Sequence, residues 1–216
     1  MKTTNNPFAL ALFALLVGFG CSDVIVNPDA DIKGPGVIVD NKYKARESFS
    51  YNVDLTNQTS FRLEGINGSV NVNSVSGISQ VTVSGEKIAS ADSYQDAADH
   101  LKYVNVEIDE FTDELLVKTS QPKFSDGRGY SVNYTIIVPS QLNIAVDNVN
   151  GRIALDIPQN TSAEFSASLV NGSISLQNLT LHNRVATSKS LQGRLGEGQG
   201  TITLRTTNGN IDVSGF

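Results

Sequence analysis

Asn150-Gly151-Arg152-Ile153-Ala154-Leu155 is the stretch on which the fold turns. It joins an Asn-Gly pair to an apolar–polar alternation of period two, the mark of a half-buried strand leaving a tight corner. The same phrase stands at Asn67-Gly68-Ser69-Val70-Asn71-Val72, at Asn171-Gly172-Ser173-Ile174-Ser175-Leu176 and at Asn208-Gly209-Asn210-Ile211-Asp212-Val213. Gly200-Thr201-Ile202-Thr203-Leu204 repeats it without the asparagine, and Leu191-Gln192-Gly193-Arg194-Leu195 is a degenerate copy. The expected repeat corners are therefore Gly68, Gly151, Gly172, Gly193 and Gly209. Recurrence of one short unit predicts stacked supersecondary elements. Such a chain presents surface more readily than it assembles a catalytic centre.

Two arrangements accommodate the repeat. Asn-Gly between alternating apolar residues is a strong hairpin signal, and a run of hairpins makes an antiparallel β-sandwich or meander. Alternatively, each copy is one corner of a coil whose equivalent strands stack in parallel, about 4.8 Å apart. Pairing across Asn171-Gly172 sets Leu169 against Ile174 and Ala167 against Leu176, as a hairpin requires. Pairing across Asn150-Gly151 sets Asn148 against Ile153, polar against apolar on the buried side. The glycines at 151, 172 and 193 keep a constant step of twenty-one residues, as a coil registering on its predecessor would. The step favours an all-β, parallel β-solenoid-like single domain; the antiparallel arrangement stays open as the alternative.

Upstream, Phe49, Tyr51, Val53 and Leu55 alternate, followed by Phe61 and Leu63, and by Val81 and Val83. The pattern changes at Ser90 to His100. There Tyr94, Ala97, Ala98 and Leu101 share one helical face, and Asp92 with Gln95 has capping-box spacing, which predicts one short inserted helix. Strands resume at Val104 to Ile108, at Leu115 to Val117, and at Val132 to Val138, which Pro139 ends.

The start of the chain belongs to targeting. Phe8 to Phe19 is an apolar run behind Lys2, too short to span a bilayer as a helix and of signal-peptide length. Gly18-Phe19-Gly20 leads into Cys21, which resembles a bacterial lipobox, whose cysteine becomes the lipidated first residue. Ser22 behind it resembles an outer-membrane sorting signal. The expected organisation is a lipoprotein signal peptide over 1–20, a tether over 21–47 and a β-strand-repeat domain over 48–216. Val37-Ile38-Val39 is a candidate edge strand within the tether, which as a flexible chain spans on the order of 30 Å. Cys21 is the only cysteine, so neither an intrachain disulfide nor a Cys-rich metal site is available.

Charge excludes one class of partner. The net charge is −6 and no Lys/Arg cluster occurs, so no nucleic-acid partner is expected. The two histidines, His100 and His182, stand without a Gly-x-Ser-x-Gly elbow, and the expectation is no enzyme, no cofactor and no metal. Asp109, Glu110, Asp113 and Glu114 lack the spacing of an EF-hand loop and read as a solvated turn. Gly196-Glu197-Gly198-Gln199-Gly200 lacks phosphate-loop spacing and reads as a corner. Phe216 ends the sequence as outer-membrane barrels end, yet the alternate residues are polar, against lipid-facing strands. The outward repeat positions Arg152, Ser173, Ser175, Thr201, Thr203, Asn210 and Asp212 are the candidate binding face.

At Val149-Asn150-Gly151-Arg152-Ile153, Val170-Asn171-Gly172-Ser173-Ile174 and Thr207-Asn208-Gly209-Asn210-Ile211, the chain resembles the "putative adhesin" family of β-strand repeats, a DUF4097-like domain of unknown function. Tyr134-Thr135-Ile136-Ile137-Val138-Pro139, running into Leu142-Asn143-Ile144, is similar to that family's lead-in. The resemblance covers roughly 48–216. It implies a right-handed β-solenoid-like fold, placement on the cell envelope and no catalytic residues. The expected function is adhesion or binding by a lipid-anchored, non-catalytic domain, with the membrane (through Cys21) and a glycan or surface protein as partners. The alternatives are a periplasmic accessory or stress-linked lipoprotein and a carbohydrate-active β-helix enzyme. The sequence leaves the oligomeric state open.

Overall fold

The computed structural model describes residues 43–123 and 126–216, so Cys21, the signal segment and Val37-Ile38-Val39 lie outside the described residues. Among the described residues, fifteen strands and one helix follow in order. The first group is β1 (Tyr43–Asp54), β2 (Ser60–Asn67), β3 (Val70–Val75), β4 (Gln80–Ala91), α1 (Tyr94–Leu101), β5 (Asn105–Glu110), β6 (Glu114–Ser120) and β7 (Gly129–Pro139). The second is β8 (Asn143–Asn150), β9 (Ile153–Ile157), β10 (Ala163–Asn171), β11 (Ile174–Gln177), β12 (His182–Ala186), β13 (Ser190–Leu195), β14 (Gly200–Asn208) and β15 (Ile211–Gly215). β1 already runs from Tyr43, with Ala45 buried, so the folded part reaches five residues ahead of Ser48.

The strands form a seven-stranded sheet, β1-β4-β7-β3-β9-β15-β11, and an eight-stranded sheet, β12-β13-β10-β14-β8-β2-β6-β5. The centre of each is parallel: β7-β3-β9-β15-β11 in one and β10-β14-β8-β2-β6 in the other. Each Asn-Gly corner carries the chain out of one sheet and into the other. β2 passes to β3, β8 to β9, β10 to β11 and β14 to β15, so the corners are arches and the hairpin alternative is overturned. Antiparallel strands flank the parallel centre, with β4 and β1 beyond β7, β13 and β12 beyond β10, and β5 beyond β6.

The rungs do not stack in chain order. Across the eight-stranded sheet the order is β10, β14, β8, β2, β6, so the rung β14–β15 lies between β8–β9 and β10–β11. Gly151 and Gly172, twenty-one residues apart, are therefore not neighbours; Gly209 separates them. The constant step reflects the chain length of a rung plus its return, and the stacking order is independent of it.

Alternation explains the core. On the inner face of the eight-stranded sheet, Leu115, Phe61, Ile144, Ile202 and Phe165 line up across the register, and Val117, Leu63, Val146, Leu204 and Ala167 form the next row. Facing them are Tyr134, Val70, Ile153 and Ile211, then Ile136, Val72, Leu155 and Val213. All of these are buried, and each fully buried aliphatic or aromatic side chain contributes about 1.5–3 kcal/mol.

A third inner row is polar: Thr119, Gly65, Asn148 and Thr206, ending in Leu169. It lies under the arches and satisfies their carbonyls. Asn148 Nδ2 donates to the Gly68 carbonyl at 3.0 Å, and Thr206 Oγ1 donates to that of Gly151 at 3.4 Å. Thr119 Oγ1 and the Tyr134 hydroxyl bond at 2.7 Å. The polar Asn148 that spoils a hairpin pairing is thus required by an arch.

The helix forms where its pattern predicts and buries Ala97 and Leu101 against the sandwich. Its cap is Ser93, one place after Asp92; the Ser93 hydroxyl accepts from the Asp96 amide. Asp96 in turn receives Nε and Nη2 of Arg128, which ties the first turn to the segment before β7. That guanidinium hydrogen-bonds the carboxyl and holds it below its ordinary value.

Candidate binding faces

Four of the five expected corner glycines form one column. Gly68, Gly151, Gly209 and Gly172 have φ of 119°, 137°, 151° and 136°, open essentially only to glycine. A Cβ on Gly151 would lie 2.7 Å from the carbonyl carbon of Gly68, and one on Gly172 equally close to that of Gly209. Amides lock the column: Gly68 donates to Asn150 O, Gly151 to Asn208 O and Gly209 to Asn171 O, at 2.9, 2.7 and 2.9 Å. The asparagines ahead of them form a second ladder. Asn171 Nδ2 donates to Asn208 Oδ1, Asn208 to Asn150 and Asn150 to Asn67, at 2.8, 2.6 and 2.7 Å; Asn67 closes on the Tyr130 carbonyl. The fifth glycine is a correction. Gly193 lies inside β13 opposite Phe165, at no corner, and a Cβ there would meet the His182 carbonyl and Leu181. It is small because the strand turning back over it passes close.

The candidate polar face divides in two. Arg152, Ser173, Ser175, Asn210 and Asp212 share the outer side of the seven-stranded sheet, whereas Thr201 and Thr203 lie on β14 and face out from the other sheet. Alternation runs along each strand, but each arch carries the chain into the opposite layer, so equivalent repeat positions before and after a corner end on opposite faces.

The five that meet are occupied with one another. Arg152 Nε donates to Asp212 Oδ2 and Ser175 Oγ to Asp212 Oδ1, both at 2.5 Å. Asn210 Oδ1 accepts the amide and hydroxyl of Ser173, as Asn133 Oδ1 accepts those of Ser69. Burial pushes the Asp212 carboxyl up, but the Ser175 hydroxyl and the Arg152 guanidinium outweigh it and hold the group below its ordinary value. These side chains bind neighbouring rungs together.

The outer side of the eight-stranded sheet offers a hollow of about 570 Å³ that the polar-out rule does not anticipate. Its floor is the row Ile66, Val149, Thr207, Val170, each immediately before a ladder asparagine. Val149 is 43% exposed and Val170 58%. Beside it runs the charged row Lys118, Glu64, Asp147, Arg205. Arg62 Nη2 and Arg205 Nη1 share Asp147, at 2.7 and 3.3 Å. The signal was present in the sequence, since Ile66, Val149 and Val170 are apolar at positions where the alternation points outward. Thr201 and Thr203 border a separate hollow of about 380 Å³ against β13, and a third of about 470 Å³, lined by hydroxyls and amides, opens at the mouth opposite the arches.

The groups weighed for chemistry stay apart. His100 closes the helix, its Nδ1 2.8 Å from the Asp96 carbonyl, and His182 is exposed on β12 in the other sheet. The acidic turn between β5 and β6 accepts Thr59 and Ser60 amides at the Asp113 carbonyl. Among the described residues, no three His, Cys, Asp or Glu side chains group as metal ligands do.

These features define an all-β, β-solenoid-like domain whose rungs are held by glycine and asparagine columns. Residues 138–214 match the family described as Toastrack DUF4097, so the resemblance to that domain of unknown function is carried by the segment from the last two residues of β7 into β15. Among solved structures, a putative cell adhesion protein from Clostridium sporogenes is similar at 9% identity and TM-score 0.36, over 79% of this chain and all of that one. Putative adhesins from Parabacteroides merdae and Parabacteroides distasonis are similar at 10% and 13% identity, with TM-scores of 0.30 and 0.27. They cover 60% and 77% of this chain and 49% and 70% of their own. No curated protein matches the sequence.

Proposed function

We propose that this chain is a lipid-anchored protein of the bacterial cell envelope, held in the outer membrane through an acylated Cys21, whose domain binds a partner without catalysis. The observation that carries the binding reading is the hollow over Ile66, Val149, Thr207 and Val170. An apolar row on a strand face that should be wet marks a surface meant to be covered. The charged row beside it gives a partner orientation and register. An extended segment of a surface protein, with apolar side chains on one side and charges on the other, fits this hollow better than a neutral glycan.

Anchoring is supported by Gly18-Phe19-Gly20-Cys21-Ser22. Each buried methylene adds about 0.8 kcal/mol, so two or more acyl chains hold stably. Many copies on one membrane raise the effective concentration, and weak individual contacts then suffice.

Two measurements test the reading. A palmitate analogue labels the wild-type chain and not Cys21→Ser; label retained on the variant removes the anchor. Cells displaying the protein adhere to protein-coated surfaces, and Val149→Asp and Val170→Asp reduce adhesion while Thr135→Asp, on the opposite face, does not. Equal adhesion by all three variants refutes the hollow as the binding surface. Polysaccharide turnover by purified protein refutes the non-catalytic reading.

A further inference from the structure

Among the described residues, the two sheets end in four outer strands, β1 and β11 in one and β12 and β5 in the other. Open edges invite pairing with other chains, and proteins block them with charge, proline or bulges. Three of these edges are blocked. β1 carries Lys44, Arg46 and Glu47, β5 carries Glu107, Asp109 and Glu110, and β12 carries Arg184 and breaks its register between His182 and Val185. β11 has none of these devices. From Asn171 to Asn178 the chain reads Asn-Gly-Ser-Ile-Ser-Leu-Gln-Asn, without charge or proline. Its core-side Ile174 and Leu176 are only partly buried, whereas their register partners Ile211 and Val213 are wholly so.

The backbone fixes what this edge offers. Ile211 N–H donates to the Ser173 carbonyl at 2.9 Å. In a parallel ladder of that phase, Ser175 and Gln177 turn their amides toward β15, and the N–H and C=O of Ile174 and Leu176 face outward. We infer that a second copy of this chain pairs along this edge, β11 against β11, antiparallel about a two-fold axis at Ser175. In that register Ile174 lies opposite the second copy's Leu176, and the reverse, so the outward amides and carbonyls of both chains are satisfied. Apolar meets apolar on the core side, and Ser175 meets Ser175 on the outer side. The edge is self-complementary, as a closed two-fold interface requires. The pairing joins the two seven-stranded sheets into one and covers the half-open end of the core.

Sedimentation equilibrium of the full chain with Cys21→Ser, which excludes both lipid and a thiol bond, tests this. The expected mass rises with concentration from 23.1 kDa toward twice that value. Ser175→Lys and Ser175→Glu each place like charges face to face and weaken association by about tenfold or more. An equimolar mixture of the two restores it. Association through any other surface is indifferent to charge at position 175. A mass that stays at 23.1 kDa across the range, or charge variants that associate as the wild type does, overturns the inference.

Discussion

The glycine column makes a quantitative expectation for Gly151→Ala. With φ at 137° the residue occupies a region that non-glycine side chains enter only at about 1–3 kcal/mol. The new methyl group would also press on the Gly68 carbonyl, whose carbon stands 2.7 Å from the Cβ position. Backbone cannot yield there as a side chain tip would. Separating the arches weakens the Gly151 amide bond to Asn208 and the Asn148 bond to Gly68, each worth about 0.5–1.5 kcal/mol net. The sum is about 2–6 kcal/mol, a large share of a stability on the order of 5–15 kcal/mol. For a domain of this size that lowers Tm by on the order of 5–20 °C. Gly77→Ala is the internal reference. Its φ is 80°, but nothing lies within 4 Å of its Cβ position, so it carries conformational strain alone. Calorimetry of wild type and both variants separates the two contributions. Equal losses at Gly151 and Gly77 would mean that close packing of the arches contributes nothing.

Other expectations follow from the same contacts. Asn208→Ala deletes two rungs of the asparagine ladder and Asn171→Ala one, so urea unfolding should show about 1–3 kcal/mol lost for the first and roughly half for the second. Equal losses would contradict a ladder. The Asp96 and Asp212 carboxyls are held below their ordinary values, so the stability they add is present above the unfolded value near 3.8 and is lost as pH falls through the lowered ones. Tm followed into acid should drop less steeply for Asp96→Asn and Asp212→Asn than for wild type. Burial pushes the Tyr134 phenol up to about 12, against the lowering effect of its Thr119 bond. Its share of stability is therefore complete below the unfolded value of 10 and fades from there toward about 12. Spectrophotometric titration of Tyr134→Phe should lack the latest phenolate, and an unchanged final step would refute the assignment.

Strand after strand was legible because one face is dry: the alternations at Phe61-Leu63, Val70-Val72 and Ile153-Leu155 are the core rows themselves. The corner motif was legible because positive φ and close carbonyl approach both demand glycine. Stacking order was not, since a repeat records what each rung needs and not which rung lies beside it. Gly193 fell on the period by coincidence, because β12 and β13 happen to fill a return of the right length. Ser93 stands in place of Asp92 as cap because the helix starts at Tyr94, one residue later than the Asp92–Gln95 capping-box spacing implies. Polarity alone singles out the outward repeat positions as a binding face. In the structure the polar positions of the seven-stranded sheet satisfy each other, and the unsatisfied surface is the apolar row before the asparagines.

The insertion of β14–β15 between two earlier-made rungs gives residues 200–215 the role of a keystone. Until they emerge during synthesis, β8–β9 and β10–β11 have no contact partner on their facing sides and hold apolar edges apart. A chain that emerges from its N-terminus can collapse only locally before that moment, and closure is then governed by contacts far apart in sequence, which slows it. Quality-control proteases meeting the polypeptide in this interval see a gap the width of one strand in each sheet.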